Sequence, residues 1–182
     1  QGKPAYAAII NRLDRPVSGL VLIAKNKSAA AKYSTLMQKE GGFNKQYEAL
    51  ICGKLSELKG TFVDYLKKDG RTNTSAIVPA DDAANDKEAK LSKLEYEVIS
   101  YDEVKDITHV RIHLITGRHH QIRVQFASRR HPLVGDYKYA TADCGMDNAV
   151  KAVAFKRNQI ALCAVSLTVD NKTYSVAPEF LL

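Results

Sequence analysis

Apolar and polar positions alternate through several stretches of the chain, and that alternation predicts a fold dominated by a sheet. Gln46–Cys52 places Tyr47, Ala49 and Ile51 on one side and Glu48, Leu50 and Cys52 on the other, the two-residue period of a strand. Leu91–Tyr101 and Ile107–Ile115 alternate in the same way and are expected to pair as a hairpin around Asp102–Asp106. Ile160–Val169 and Tyr174–Val176, separated by Asp170-Asn171-Lys172, form a second expected hairpin. Thr61–Leu66 reads as a short strand, Ala7–Ile10 as the end of another, and the unbroken apolar run Leu20–Ala24 as a strand buried on both faces. Helical spacing is clear in one place: Ala30, Tyr33, Leu36 and Met37 recur across Lys27–Glu40, with Asn26 or Ser28 as cap and Gly41-Gly42 as stop. Lys67–Lys90 is polar, acidic and rich in Asn, Asp and Ala, so it reads as a long excursion or flexible loop.

Thr116–Tyr139, reading TGRHHQIRVQFASRRHPLVGDYKY, fits two patterns. Ile122, Val124 and Phe126 alternate like a strand, while Ile122 and Phe126 are also i, i+4 partners on a helix that would begin near His119. Pro132 and Gly135-Asp136 mark a turn after it. The plain account of the stretch is a basic, solvent-facing helix with polar histidines. A metal site is rejected, because adjacent His119 and His120 would point in different directions on either element and no Cys or carboxylate stands at ligand spacing.

Composition narrows the class. A chain of 182 residues that is 45% hydrophobic can bury one sizeable core, so one domain over 1–182 is expected, with a monomer favoured. No run approaches the roughly 18 consecutive apolar residues of a membrane span, and no signal peptide opens the sequence. Cys52, Cys144 and Cys163 are odd in number and widely spaced, which fits neither a disulfide framework nor a zinc site and makes a reducing, cytoplasmic location the expectation. The net charge of +7 is unevenly divided: residues 1–60 hold ten Lys/Arg against four Asp/Glu, residues 61–110 seven against eleven, and residues 111–182 ten against five. Two basic regions around an acidic middle suit an anionic partner, nucleic acid above all.

Candidate chemistry concentrates at Asn11–Asn26, NRLDRPVSGLVLIAKN. Asp14 lies between Arg12 and Arg15 and is followed by Pro16 and the Ser18-Gly19 pair, so a constrained loop should hold it still. A carboxylate flanked by cations is expected to be an anion at neutral pH, usable as nucleophile or general base. Taken alone, the stretch is better explained as a surface turn with a solvated ion pair.

Read together, NRLDRPVSGLVLIAKN, KQYEALICG at Lys45–Gly53, TGRHHQIRVQFASRRHPLVGDYKY and RNQIALCAVSLTV at Arg157–Val169 resemble, in order and spacing, the signature segments of the RluA-type RNA pseudouridine synthases. They make up about a third of the chain. The resemblance implies an α+β catalytic domain with a mixed, mostly antiparallel sheet and flanking helices. It also implies an enzyme that breaks the C1′–N1 bond of a uridine in ribosomal or transfer RNA, turns the uracil and rejoins it through C5, with no metal or other cofactor.

Asp14 aligns with the family's catalytic aspartate, Tyr47 with its active-site tyrosine and Arg123 with the arginine that pairs with the carboxylate. Arg12 aligns with an arginine that braces the space vacated by the extruded base. Arg15, Lys25, Lys27, Arg118, Arg129 and Arg130 are candidate phosphate contacts. The chain departs from the usual pattern at Asn11, Val17, His119, Gln125 and Cys163, where the family commonly has His, Thr, Thr, His and His. Only thirteen residues precede Asp14, whereas the family usually carries a strand-bearing segment with a Lys-Pro-x-Gly element further upstream; Lys3-Pro4 is too close to be that element. The expectation is therefore a member shortened at its start, lacking an N-terminal strand and an S4-like RNA-binding domain. The competing reading is a catalytically silent RNA-binding or RNA-folding relative.

Overall fold

Alternation at Tyr47, Ala49 and Ile51 is that of an interior strand of a large sheet. The computed structural model describes residues 5–39, 41–153 and 159–180. Lys3-Pro4, Glu40 at the end of the expected helix and Arg157 lie outside them. In chain order the elements are β1 (Ala8–Ile9), β2 (Ser18–Gly19), β3 (Ile23–Ala24), α1 (Lys27–Gln38), β4 (Asn44–Cys52), β5 (Lys59–Asp69), β6 (Thr74–Val78), α2 (Ala80–Ala83), β7 (Lys90–Asp102), β8 (Ile107–Leu114), α3 (Gln121–Ala127), α4 (Met146–Ala152), β9 (Leu162–Val169) and β10 (Lys172–Ser175). The main sheet runs β10-β9-β4-β8-β7-β5-β6. All its neighbours are antiparallel except β2, which joins β9 in parallel. The α+β class and both expected hairpins are therefore present. Among the described residues no helix is long and apolar enough to cross a membrane.

The period of two divides the sheet into two apolar faces. Tyr47, Ala49 and Ile51 of β4 pack with Leu94, Ile112 and the α3 residues Ile122 and Phe126. Leu50 and Cys52, pointing the other way, pack with Met146 and Ala149 of α4 and with Cys163 and Val165 of β9. A third cluster sets Tyr33, Leu36 and Met37 of α1 over Phe43, Leu167 and Val169. Asn26 caps α1 as expected, accepting the Ala29 N–H at 2.8 Å. The turn between β9 and β10 places Asp170 and Asn171 at φ 49° and 58°, the left-handed pair that a tight two-residue hairpin needs.

Two expectations fail. Leu20–Ala24 is not a strand buried on both faces: Val21 and Ile23 are exposed, and only Ile23–Ala24 pairs, with Ala8–Ile9. The apolar run instead crosses the edge of the fold, where alternate side chains reach the α1 cluster. Lys67–Lys90 is not a loop. Its first residues complete β5, the chain turns at residues 70–73, and β6 returns alongside before the single turn of α2. This hairpin projects with polar side chains on much of its surface, so the apolar alternation that reveals a strand is largely missing; its pairing rests on backbone hydrogen bonds, and Asp69 fixes the turn by accepting from the Arg71 N–H and the Thr72 hydroxyl.

The segment carrying Asp14 is stapled at several points. Asn11 donates its amide to Leu20 O at 3.2 Å and accepts the Leu22 N–H at 2.6 Å, closing the loop across its base. Val17 N–H meets Asp14 O at 2.9 Å in a tight turn, Leu20 N–H meets Ala164 O at 3.0 Å, and Pro16 O accepts from Ile160 N–H at 3.1 Å. Gly19 lies against β9 at φ 118°, and a Cβ there would fall 2.4 Å from Ala164 O. Gly19→Ala should therefore lower the unfolding free energy by about 2–4 kcal/mol through combined backbone strain and steric clash, as read from urea unfolding followed by circular dichroism.

Candidate active site

Arg123 is the side chain around which the cleft is assembled. It projects from α3, whose residues 121–126 are all buried, so the solvent-facing account of this helix is wrong. The apolar Ile122 and Phe126 pull the helix onto the sheet, and polar Gln121, Arg123 and Gln125 are buried with them. The Arg123 guanidinium meets Asp136 edge to edge, Nε to Oδ2 and Nη2 to Oδ1 both at 2.7 Å, while Nη1 reaches Asp14 Oδ2 at 3.3 Å. Burial alone would pull its pKa down, but the hydrogen bonds and charge of Asp136, with the charge of Asp14, raise it overall. Such a two-point pair requires the planar fork of arginine. Asp136 is 1% exposed and comes from the turn marked by Gly135, at φ 87°.

The floor beside the carboxylate is Tyr47, buried at 8% exposure on β4, directly after a shift in the β4–β9 register between Gln46 and Tyr47. Burial, followed by the nearby charge of Asp14, pushes its hydroxyl up to about 12, so it faces the cleft as a protonated phenol. Asp14, Tyr47 and Arg123 line one cleft of about 670 Å³, together with Arg12, Lys45, Lys68 and Arg118. Burial lowers the pKa of Lys45.

The turn before α3 is tied by Gln121, whose side-chain oxygen accepts from the Thr116 hydroxyl at 2.8 Å and the Arg118 N–H at 2.9 Å. His120 follows at φ 53°, in the left-handed region. That break in backbone period is why the two adjacent histidines do not diverge as expected: their rings stack with centroids 3.8 Å apart. Among the described residues no group of three or more His, Cys, Asp or Glu is arranged to hold a metal ion.

The basic residues distribute unequally. Arg12 and Arg118 line the cleft, and Arg118 also donates through Nε to Leu91 O at 2.9 Å. Arg15, Lys25, Lys27 and Arg130 are exposed outside the cleft lining. Arg129 is held on the fold itself, donating to Asp64 at 3.0 and 3.1 Å with its guanidinium 4.0 Å from the centre of the Phe62 ring. The cation that meets Asp14 is Arg123 from far along the chain; among the described residues no ion pair joins Asp14 to its neighbours Arg12 and Arg15. Sequence reasoning passed over Asp136, Lys45 and Lys68. The Gly-Asp turn after α3 was visible, but nothing in it showed that the carboxylate folds back under the helix. Asp136→Asn strips the matching charge from a buried guanidinium and should cost about 3–5 kcal/mol of stability, measurable as a lowered urea midpoint at neutral pH.

Residues 1–128 match the family described as RNA pseudouridylate synthase. The ribosomal large subunit pseudouridine synthase D of Blochmanniella floridana is 36% identical over 135 residues, covering 73% of this chain and 38% of that protein. Its namesake in Vibrio vulnificus is 30% identical over 181 residues, 96% of this chain and 51% of the relative. The chain thus spans about half, or less, of the length of these relatives. Among solved structures, human RNA pseudouridylate synthase domain containing 1 superposes with a TM-score of 0.74 at 24% identity over 96% of this chain and 69% of its own, a likeness of fold. With its α+β sheet, the cleft of Asp14, Tyr47 and Arg123, and a family match over most of its length, the chain belongs to the RNA pseudouridylate synthase family.

Proposed function

We propose that the chain is the catalytic domain of an RNA pseudouridine synthase that converts uridine to pseudouridine within a folded RNA, with Asp14, Tyr47 and Arg123 at the reacting nucleoside. The observation that carries this reading is the convergence of three distant segments on one carboxylate, with Arg123 Nη1 3.3 Å from Asp14 Oδ2 and Tyr47 in the same cleft. The reaction breaks C1′–N1, forms C1′–C5, releases the C5 hydrogen to solvent and returns a proton to N1, so no electrons are gained or lost. Asp14 acts by attacking the sugar or the base, or by taking a proton from the sugar. Tyr47 offers its ring to the uracil and a protonated hydroxyl to its polar edge. Arg123 fixes the carboxylate, and a uracil must leave its stack to reach it, at a cost of a few kcal/mol.

The names of the bacterial relatives favour ribosomal RNA as the substrate, and a cytoplasmic location is part of the same proposal. Arg12 at the cleft braces the space the extruded base leaves and Arg118 contacts phosphate, with Arg15, Lys25 and Arg130 extending the basic surface. Unmodified ribosomal and transfer RNA carrying tritium at uracil C5 provide the test. The chain as it stands should release tritium from ribosomal RNA, and Asp14→Asn should bind the same RNA while releasing none. No release from either RNA by a folded protein would identify a silent RNA-binding relative instead. A second outcome follows from the raised Tyr47: comparison of the chain with Tyr47→Phe by ultraviolet titration should show no phenolate from this residue until about pH 12.

A further inference from the structure

His120 has no part in the reaction as described, yet it touches the site at both ends of its ring. It is 7% exposed and sits in the left-handed backbone region at the start of α3. Nδ1 lies 2.6 Å from the Tyr139 hydroxyl, and Nε2 lies 3.7 Å from Asp14 Oδ2. The Tyr139 oxygen already accepts the Ser75 backbone N–H at 2.9 Å. An arrangement that satisfies both groups has the Tyr139 hydroxyl donating its single proton to Nδ1, which puts the proton of a neutral ring on Nε2, facing Asp14. In that arrangement the donating nitrogen is directed at the Asp14 carboxylate, 3.7 Å away.

The groups around the ring support a neutral imidazole. Arg123 faces it from α3, Asp14 from the stapled loop, His119 from the same turn and Lys138 from the segment after α3. Burial first, and then the Arg123 charge, outweigh the attraction of Asp14 and lower the His120 pKa to about 4. Both neighbours of Asp14, Arg123 Nη1 and His120 Nε2, converge on the same oxygen, Oδ2. A separation of 3.7 Å exceeds a hydrogen bond, but contacts of this kind in unliganded sites are often long and tighten in the complex. A histidine held at positive φ is the type of local strain that persists where its surroundings over-determine it, as at functional sites.

We propose that His120 is a positioning residue: with its tautomer set by Tyr139, its Nε2–H works with Arg123 to hold Oδ2 of Asp14 and leave Oδ1 to the substrate. The proposal rests on the reading that Asp14 carries the chemistry. Tritium release from C5-labelled ribosomal and transfer RNA is measured for the unaltered chain, His120→Ala and His120→Gln; all three have a Cβ at residue 120, so the comparison isolates the side chain. His120→Ala should lower kcat by about tenfold to a hundredfold, with KM nearly unchanged. His120→Gln, whose amide nitrogen can donate near the position of Nε2 but cannot carry a proton away, should recover most of that loss and keep the unaltered pH profile. Equal rates for His120→Ala and the unaltered chain, or no recovery in His120→Gln, overturn the proposal.

Nitrogen-15 NMR of labelled histidine gives a readout independent of turnover. A neutral Nε2–H ring for His120 near neutral pH supports the assignment; an Nδ1–H ring or an imidazolium refutes it. Absence of tritium release from both RNAs by the unaltered chain would strike at the Asp14 reading, and the tautomer would still decide the placement of His120.

Discussion

A guanidinium buried between two carboxylates sets the terms for the rest of this structure. Arginine stays charged under any condition in which the fold survives, so burying it is unfavourable by several kcal/mol unless a partner neutralises it. Asp136 does so with two bonds of 2.7 Å. That leaves Nη1 aimed outward, and Asp14 meets it there at the wall of the cleft. The buried pair thus orients the cation before any substrate arrives, and the partly exposed carboxylate takes its position from it. Preorganised charge of this kind needs no rearrangement during a reaction.

The electrostatics of the cleft follow from strand alternation as much as from net charge. Arg12, Lys45, Lys68, Arg118 and Arg123 line the cleft with the carboxylate of Asp14, and Lys68 comes from the segment whose total charge is acidic. The acidic side chains of that segment are partly spent elsewhere. Glu95 pairs with His113 and Glu97 with Lys59, at the β7 positions that alternate with core-facing Leu94 and Tyr96. Glu48 likewise engages His109 and Arg111. The face of the sheet that carries α3 is left basic around its cleft, while on the other side Glu97 meets Lys59 and Glu48 meets Arg111.

What the sequence revealed divides along the same physical line. Strands β7 and β8 were legible because burial mainly on one side imposes a period of two, whereas β4 and β9 are buried on both faces along much of their length and were legible by their short apolar runs between turn signals. Asp14, Tyr47 and Arg123 were legible through ordered resemblance, which no single tripeptide carries. The β5–β6 hairpin was missed because backbone pairing, not apolar alternation, sustains much of it. Leu20–Ala24 misled for the opposite reason: apolar residues crossing the edge of a fold look in one dimension like a core strand. The placement of Asp136 and His120 was hidden because it comes from a reversal of the chain and from one residue at positive φ, neither of which leaves a periodic trace.

The position of Asp14 is consequently not a property of its loop alone. Leu20 N–H and Ile160 N–H bind the loop to the β9 side of the sheet, and Asn11 closes its base. From the other side Arg123 approaches on a helix whose Ile122 and Phe126 are packed into the same core as Ala49, Ile112 and Leu162. Two routes from one packed core therefore end on the same carboxylate. A loop residue held this way inherits the rigidity of the sheet, because moving it requires breaking backbone bonds to β9 or displacing α3 from a close-packed interior. The same arrangement gives an acidic side chain at the surface a fixed geometry: the core supplies the precision, and the loop leaves the carboxylate open to the cleft.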